Sequence, residues 1–191
     1  MKKTLLFTAC LAVLATGAAL AQAPARDIAG NYSGTLTISL GKSIDGDALV
    51  MEGKSVSIEA VGDAAVDFTL PDFSFEGMSL GDIFLPGIPV YDAGDGSVRF
   101  GENEPVSFEF LGGMIQATAR ISSSGSAVRG GRADIDVDVV WTNSGGLTDI
   151  ADMPIYVRFS GENEAVRFDL NRDGSVDVSD VSALVEYILT H

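Results

Sequence analysis

The sequence predicts an all-β fold, an antiparallel barrel of about eight strands followed by a short loop and helix. From Asn31 to Phe168, apolar residues recur at every second position, which places them on one face of successive strands. Turn-forming runs rich in glycine, serine, asparagine and aspartate separate these strands, and their up-and-down order favours a barrel over a sandwich. The clearest alternating runs are 36–40, 56–60, 66–70, 106–110, 115–121, 135–141 and 155–159.

The N-terminus predicts export. Residues 1–21 begin with Lys2 and Lys3, continue as a short apolar run and end in Ala-Leu-Ala, the pattern of a secretory signal peptide cleaved before Gln22. No basic stop-transfer cluster follows, so we expect a linker at 22–27, no transmembrane segment in the mature chain, and a location in the periplasm, at the cell surface or outside the cell.

Composition excludes several classes of function. Without Lys2 and Lys3, the mature chain has 10 basic and 27 acidic residues, a net charge of −17, which argues against nucleic-acid partners. It also lacks Cys10, the only cysteine, and its sole histidine is His191 at the last position. Imidazole triads, cysteine nucleophiles and zinc sites are therefore not expected, and we predict a non-enzymatic protein. A glycoside hydrolase, which needs only two carboxylates, is the alternative.

The strand region resembles a known family. The segments "NYSGTLTISL", "FTLPDFSFEGMSLGDIFLPGIPV", "GGRADIDVDVVW" and "DMPIYVRFSGE" are similar to the calycin-like, lipocalin-type β-barrel domains of secreted Bacteroidetes proteins, over residues 28–161. The resemblance implies a lipocalin-like barrel without an assigned activity. A barrel of this size is either filled by side chains or open to one small ligand. The phenylalanines beyond the predicted signal peptide and Trp141 could form an ordinary core or line a cavity for a small apolar ligand.

The segment "DLNRDGSVDVSD" predicts a calcium site. Ca²⁺ binds oxygen ligands supplied by a tight loop, with a glycine where the chain turns sharply. Counted from the first aspartate, Gly174 stands at position six and ligand residues stand at positions one, three, five, seven, nine and twelve. The predicted ligands are Asp169, Asn171, Asp173, the backbone carbonyl of Ser175, Asp177 and Asp180. Aspartate in place of glutamate at position twelve shortens the last ligand and leaves the affinity open.

A helix is predicted directly after this loop. Val181, Leu184, Val185 and Ile188 follow the spacing of one helix face. Because so short a helix is unstable alone, this face must pack on the barrel or on a partner. Residues 162–191 resemble a single repeat of an EF-hand-type dockerin I module, which implies calcium-dependent docking to a cohesin-like protein and a link to polysaccharide metabolism. Dockerins carry two repeats and this chain shows one, so a clasp and a docking element both remain open.

Asp134, Asp136 and Asp138 alternate with apolar residues along one predicted strand. We expect a solvated strand face, with a second cation or a basic partner as the alternative. Taken together, the sequence predicts a secreted, non-enzymatic calcium-binding barrel that acts as a binding or assembly component at the bacterial envelope. The alternatives are a lipocalin-like carrier of a small apolar ligand, and an accessory protein or glycoside hydrolase of polysaccharide degradation.

Overall fold

The computed structural model describes most of the chain after the predicted signal peptide. The predicted signal peptide at 1–21 lies outside the described residues. The described residues are 23–40, 48–75, 78–110, 112–143, 155–171 and 178–190.

Strands dominate the described chain, as the alternating pattern predicts. The strands are β1 (Gly30–Leu40), β2 (Ala48–Ala60), β3 (Ala65–Phe75), β4 (Met78–Asp92), β5 (Ser97–Phe100), β6 (Val106–Phe110), β7 (Ile115–Ile121), β8 (Ala127–Arg129), β9 (Arg132–Asn143) and β10 (Ile155–Asn163). The helices are α1 (Pro24–Asp27), α2 (Glu164–Phe168) and α3 (Val178–Thr190). None of the described helices has the length and hydrophobicity needed to cross a membrane.

These strands close into a ring of eight positions. Every pairing is antiparallel, and β10 pairs with β1 on one edge and with β9 on the other. The second edge of β9 is shared by β7 and β8, which therefore occupy one position in the ring. Their partners β6 and β5 likewise occupy the next position. The predicted antiparallel barrel of about eight strands is confirmed.

The ring is split between β4 and β6. β5 pairs with β4 only at residues 90–92, and the Gly101 N–H then donates to the Pro89 carbonyl at 2.7 Å. Beyond that point β6 pairs with β7, and no ladder joins β6 to β4 among the described residues. One side of the barrel therefore has two strand edges that face each other without pairing.

One end of the barrel, here the α1 end, is closed by side chains and by α1. Pro24 and Ala25 of α1 are buried, and the Ala25 N–H donates to the Asp63 carbonyl at 3.1 Å. Tyr32 is 1% exposed and its hydroxyl donates to the Ile28 carbonyl at 2.7 Å, while burial raises its pKa. The segment predicted as a linker thus contributes a helix that covers this end.

The end of β10 differs from the prediction. The sequence pattern indicated strand-like structure up to Phe168, but the strand ends at Asn163 and α2 follows. Asn163 caps this helix because its Oδ1 accepts the Ala165 N–H at 2.9 Å. The Ser33 hydroxyl donates to the Glu164 carboxylate, which ties α2 to β1. The prediction that strand structure continues to Phe168 is therefore wrong.

Glycine permits the ring to close between β1 and β10. Gly34 lies opposite Gly161, and a Cβ on Gly34 would lie 2.1 Å from the Ser160 carbonyl oxygen. On the other side of β1 the register with β2 shifts at Gly34, where Gly53 adopts a φ of +66° as the extra residue of a bulge. The backbones of β1 and β10 approach more closely here than any side chain would allow.

Candidate functional site

An apolar cavity of about 90 Å³ lies inside the barrel, near the end opposite α1. Its wall is built by inward-facing residues of β1, β3, β4, β6, β7, β9 and β10. All fifteen lining residues are apolar, and the aromatic ones are Phe68, Phe73, Phe108, Phe159 and Trp141. The barrel interior is therefore neither wholly filled nor wholly open, since the α1 end is packed and the opposite end is hollow.

Two alanines account for the empty space at the barrel end opposite α1. The strand register places Ala117 of β7 between Phe108 of β6 and Trp141 of β9, so a small residue separates two large ones. Ala119 lies in the next inward row and is 4% exposed. A leucine at either position would reach into the space that the alanines leave.

Trp141 lines the cavity and also has a buried indole nitrogen. Its Nε1 is buried, and among the described residues it is the one buried side-chain nitrogen or oxygen without a hydrogen-bond partner. An indole N–H can only donate, so it requires an acceptor that the apolar wall does not offer. The surface of the cavity itself is apolar, and the indole N–H is buried without an acceptor among the described residues.

The acidic residues of β9 lie outside the cavity, on the outer face of the barrel. Arg158 of β10 donates to both carboxylate oxygens of Asp136, at 2.6 and 2.8 Å. Arg120 of β7 lies 3.6 Å from Asp138. These aspartates therefore pair with arginines of neighbouring strands.

Asp134 completes this outer row. It accepts a hydrogen bond from the Ser160 hydroxyl at 2.7 Å and lies 3.3 Å from the Arg132 guanidinium. Burial opposes ionisation of Asp134, but the hydrogen bonds from Ser160 and Arg132 and the charges of nearby arginines outweigh it, so the pKa of the carboxyl is lowered. The charged form of Asp134 is therefore favoured in the folded protein.

The predicted calcium loop is described only at its two ends. Asp173, Ser175 and Asp177 lie outside the described residues. Asp180 is 3% exposed, and its Oδ1 accepts the N–H groups of Leu170 and Asn171 at 2.7 and 3.2 Å. The first turn of α3 is thereby joined to the start of the loop, where Asp169 ends α2. No group of three or more potential metal-binding His, Cys, Asp or Glu side chains occurs in the described part of the chain. The calcium site stays a prediction.

The apolar face of α3 is exposed. The exposed fraction of its large apolar residues ranges from 45% at Leu184 to 79% at Leu189, and Asp180 is its buried residue. Of the two alternatives for this helix, packing on the barrel is not seen in the described residues. The predicted helix itself forms over Val178–Thr190.

Sequence reasoning missed which inward residues border empty space. Alternation identified Ala117, Ala119 and Trp141 as inward-facing, but it did not separate a filled layer from a hollow one. The usable signal was the size of the inward residues, because β7 places two alanines where neighbouring strands place valine, phenylalanine or tryptophan.

Comparisons with known proteins agree with this architecture. A crystal structure of a Bacteroides fragilis NCTC 9343 protein, described as a putative outer membrane protein, matches with a TM-score of 0.53 and 18% identity. The match covers 74% of this chain and 53% of the other, so this chain spans about half the length of that protein, and the likeness concerns the fold. No curated protein matches the chain. A family model for the calycin-like β-barrel domain matches residues 28–162, and the chain belongs to this calycin-like family.

Proposed function

We propose that the protein is a non-enzymatic binding protein of the bacterial envelope whose barrel holds a small apolar ligand. The observation that carries the proposal is the apolar cavity at one end of an otherwise packed barrel. Apolar cavities of this kind stay dry and bind apolar guests, because water would find no partners in them. Each methylene that a ligand buries there contributes about 0.8 kcal/mol to binding.

The size of the cavity limits the ligand. Its volume of about 90 Å³ is below that of an engineered cavity of about 150 Å³ that binds benzene in another protein. The ligand is therefore either small or inserts only one apolar end. Ile83 of β4 and Phe108 of β6 both line the cavity, and no ladder joins these two strands among the described residues. We propose that the remainder of a longer ligand extends between them.

The chemistry of the wall supports binding over catalysis. A glycoside hydrolase needs two carboxyl groups flanking the scissile bond, whereas all fifteen residues around the cavity are apolar. The envelope location is supported by the predicted signal peptide at 1–21 and by the description of the Bacteroides fragilis protein with the similar fold.

Calorimetric titration of the purified protein with benzene and hexane tests the ligand proposal. We expect saturable binding that is lost in Ala119→Leu, which fills the cavity. Val140→Leu is the matched control, because Val140 lies on the same sheet but is 58% exposed and outside the cavity wall. Absence of binding to the unmodified protein, or equal losses in the two variants, would contradict the proposal.

A second candidate function is a calcium-ordered docking element formed by the C-terminal loop and α3. The supporting observation is Asp180, which joins the two described ends of the loop through the Leu170 and Asn171 N–H groups. The proposed ligands are those of the sequence prediction, Asp169, Asn171, Asp173, Ser175, Asp177 and Asp180. Calcium would neutralise four mutually repelling aspartates and so order the loop.

The exposed apolar face of α3 supports docking rather than a clasp on the barrel. The partner proposed is a protein of the cohesin type, because the loop and helix resemble one dockerin repeat. Such a role would connect the barrel to polysaccharide-degrading assemblies.

Calcium titration by calorimetry, with melting curves in calcium and in chelator, tests the second candidate. We expect one binding event that is lost in Asp173→Ala and kept in Glu59→Ala, a carboxylate removed from β2 instead of from the loop. A docking element should leave the melting of the barrel unchanged, whereas a clasp should raise it with calcium. If no calcium binds, the calcium proposal is wrong.

A further inference from the structure

We infer that a ligand reaches the barrel cavity when the distal part of the β3–β4 hairpin moves outward. The moving part, here the flap, consists of residues 70–75 of β3 and 78–83 of β4. Residues 76 and 77, between these two segments, lie outside the described residues. The inference rests on the proposed ligand-binding function and adds the route by which the ligand enters and leaves the cavity.

Backbone ladders join the flap to the rest of the barrel only at its base. On one edge, the ladder between β2 and β3 ends at the pair Ser57–Thr69, although β2 continues to pair with β1 as far as Ala48. On the other edge, β4 pairs with β5 only at residues 90–92. Among the described residues, the two strands of the flap therefore pair with each other and with no third strand. Segments with few hydrogen bonds to their neighbours open at a lower free-energy cost than the rest of a fold.

The sequence of the hairpin favours this interruption of the ladders. Pro71 of β3 and Pro86 of β4 have no backbone N–H to donate, and proline is confined to sheet edges and bulges for that reason. The ladder between β3 and β4 is itself irregular, with three register shifts between residues 66 and 74 of β3. Asp72 and Gly81 have φ values of +48° and +78°. Because bulges bend a strand and disrupt its pairing, regular pairing with the neighbouring strands is disfavoured here.

The flap forms one part of the cavity wall. It contributes Leu70, which is buried, and Phe73 and Ile83, which are partly exposed. The wall on β1 and β10 is different, because Leu36 and Phe159 are each 1% exposed and β10 is paired on both edges. Outward movement of the flap would therefore uncover the cavity while the wall on β1 and β10 stays in place.

The described hydrogen bonds of the hairpin keep its two strands together and do not fix the flap to the barrel. The Asp72 N–H donates to Oδ1 of Asp82 at 2.9 Å, and the Gly87 N–H donates to Oδ1 of Asp67 at 2.7 Å. Each of these bonds joins β3 to β4, so the hairpin can move as one body without breaking them. The closed position is then held by the burial of the flap's apolar side chains in the cavity wall.

Thiol labelling measures the opening of the flap without any ligand. The only cysteine, Cys10, lies in the predicted signal peptide, so the mature chain accepts a single introduced thiol. Leu70→Cys places this thiol on the flap, and Ile155→Cys is the matched control on β10, because the two residues line the cavity and are 5% and 8% exposed. Under native conditions Leu70→Cys should react with a thiol reagent at least about 10-fold faster than Ile155→Cys. Static exposure alone predicts no such advantage for Leu70→Cys.

Binding kinetics connect this opening with ligand entry. Ile83→Val removes one methyl group from the closed flap, and Ile155→Val removes the same group from the cavity wall on β10. Because the lost contact favours the open flap, benzene should associate with and dissociate from Ile83→Val about 2- to 10-fold faster than from the unmodified protein. The association rate of Ile155→Val should equal that of the unmodified protein. Exchange measurements by nuclear magnetic resonance give both rate constants.

Failure of the flap and failure of ligand binding are distinguishable. If Leu70→Cys and Ile155→Cys are labelled at the same rate, the flap does not open separately and the inference is overturned, even where benzene binds. If Leu70→Cys is labelled faster but the two valine variants change the benzene rates equally, the ligand enters elsewhere and the inference is overturned as well. If the flap opens and benzene does not bind, the ligand-binding function is wrong and the flap has no ligand to admit. Should Leu70→Cys fail to fold, Phe73→Cys and Val157→Cys form a second pair of partly exposed wall residues, and the thiol on the flap should again react first.

Discussion

Replacing Ala119 with leucine should stabilise this protein, the opposite of the usual effect of enlarging a core residue. Ala119 is 4% exposed and lines a cavity of about 90 Å³. Residual cavities cost about 24 cal/mol per Å³, so complete filling would recover about 2 kcal/mol. Counting atoms leads to a similar value, because three buried carbons contribute about 0.8 kcal/mol each. The loss of side-chain conformational entropy when the leucine is ordered costs about 0.5–1 kcal/mol. We expect a net gain of about 1–2 kcal/mol.

Urea unfolding measures this gain, and thermal unfolding should show a rise of about 2–4 °C for each kcal/mol in a chain of this size. Val128→Leu is the control at the packed α1 end, where Val128 is 4% exposed and does not border the cavity. There the added carbon should destabilise the protein by about 1–3 kcal/mol through overpacking. If Ala119→Leu destabilises the protein to the same extent as Val128→Leu, the cavity is absent and the reasoning fails.

Three further variants test the barrel wall. Gly34→Ala should cost about 3 kcal/mol or more, because its Cβ would lie 2.1 Å from the Ser160 carbonyl oxygen and would separate β1 from β10. Gly53→Ala should cost only about 1–2 kcal/mol, because a side chain at its φ of +66° is strained but no atom lies within contact distance. Urea unfolding compares the two variants. Equal losses of stability would contradict this view of the β1–β10 pairing. Because the pKa of Asp134 is lowered in the folded protein, its carboxylate stabilises the fold above the unfolded pKa, and this contribution is lost as the pH falls through the folded value. Asp134→Asn should therefore be less stable than the unmodified protein at pH 7 but should lose less stability on acidification to about pH 3. If the difference in unfolding free energy between the two proteins stays constant across this range, the assignment is refuted.

The strand pattern was predictable because burial on one face repeats at every second residue, as at Leu36 and Ile38 of β1. The same pattern misled at the end of β10, where Val166 and Phe168 continue the alternation but belong to α2. The N-cap of Asn163 and the bond between Ser33 and Glu164 decide the helix, and the second of these joins residues far apart in the chain. The calcium ligands stay a prediction from spacing that the described residues do not test.

By itself, the sequence determined the class of the fold, the approximate number of strands and the positions that face inward, because these depend on local periodicity and turn chemistry. It also determined the acidity of the chain and the absence of cysteine and histidine chemistry from the predicted mature barrel. Only the tertiary structure decided that Ala117 lies between Phe108 and Trp141 with Ala119 in the next inward row, and that these rows leave a cavity. It also decided that β4 and β6 do not pair among the described residues. Whether inward side chains fill a barrel depends on which residues share a layer across strands, and that register is set by the closure of the whole ring rather than by any one strand.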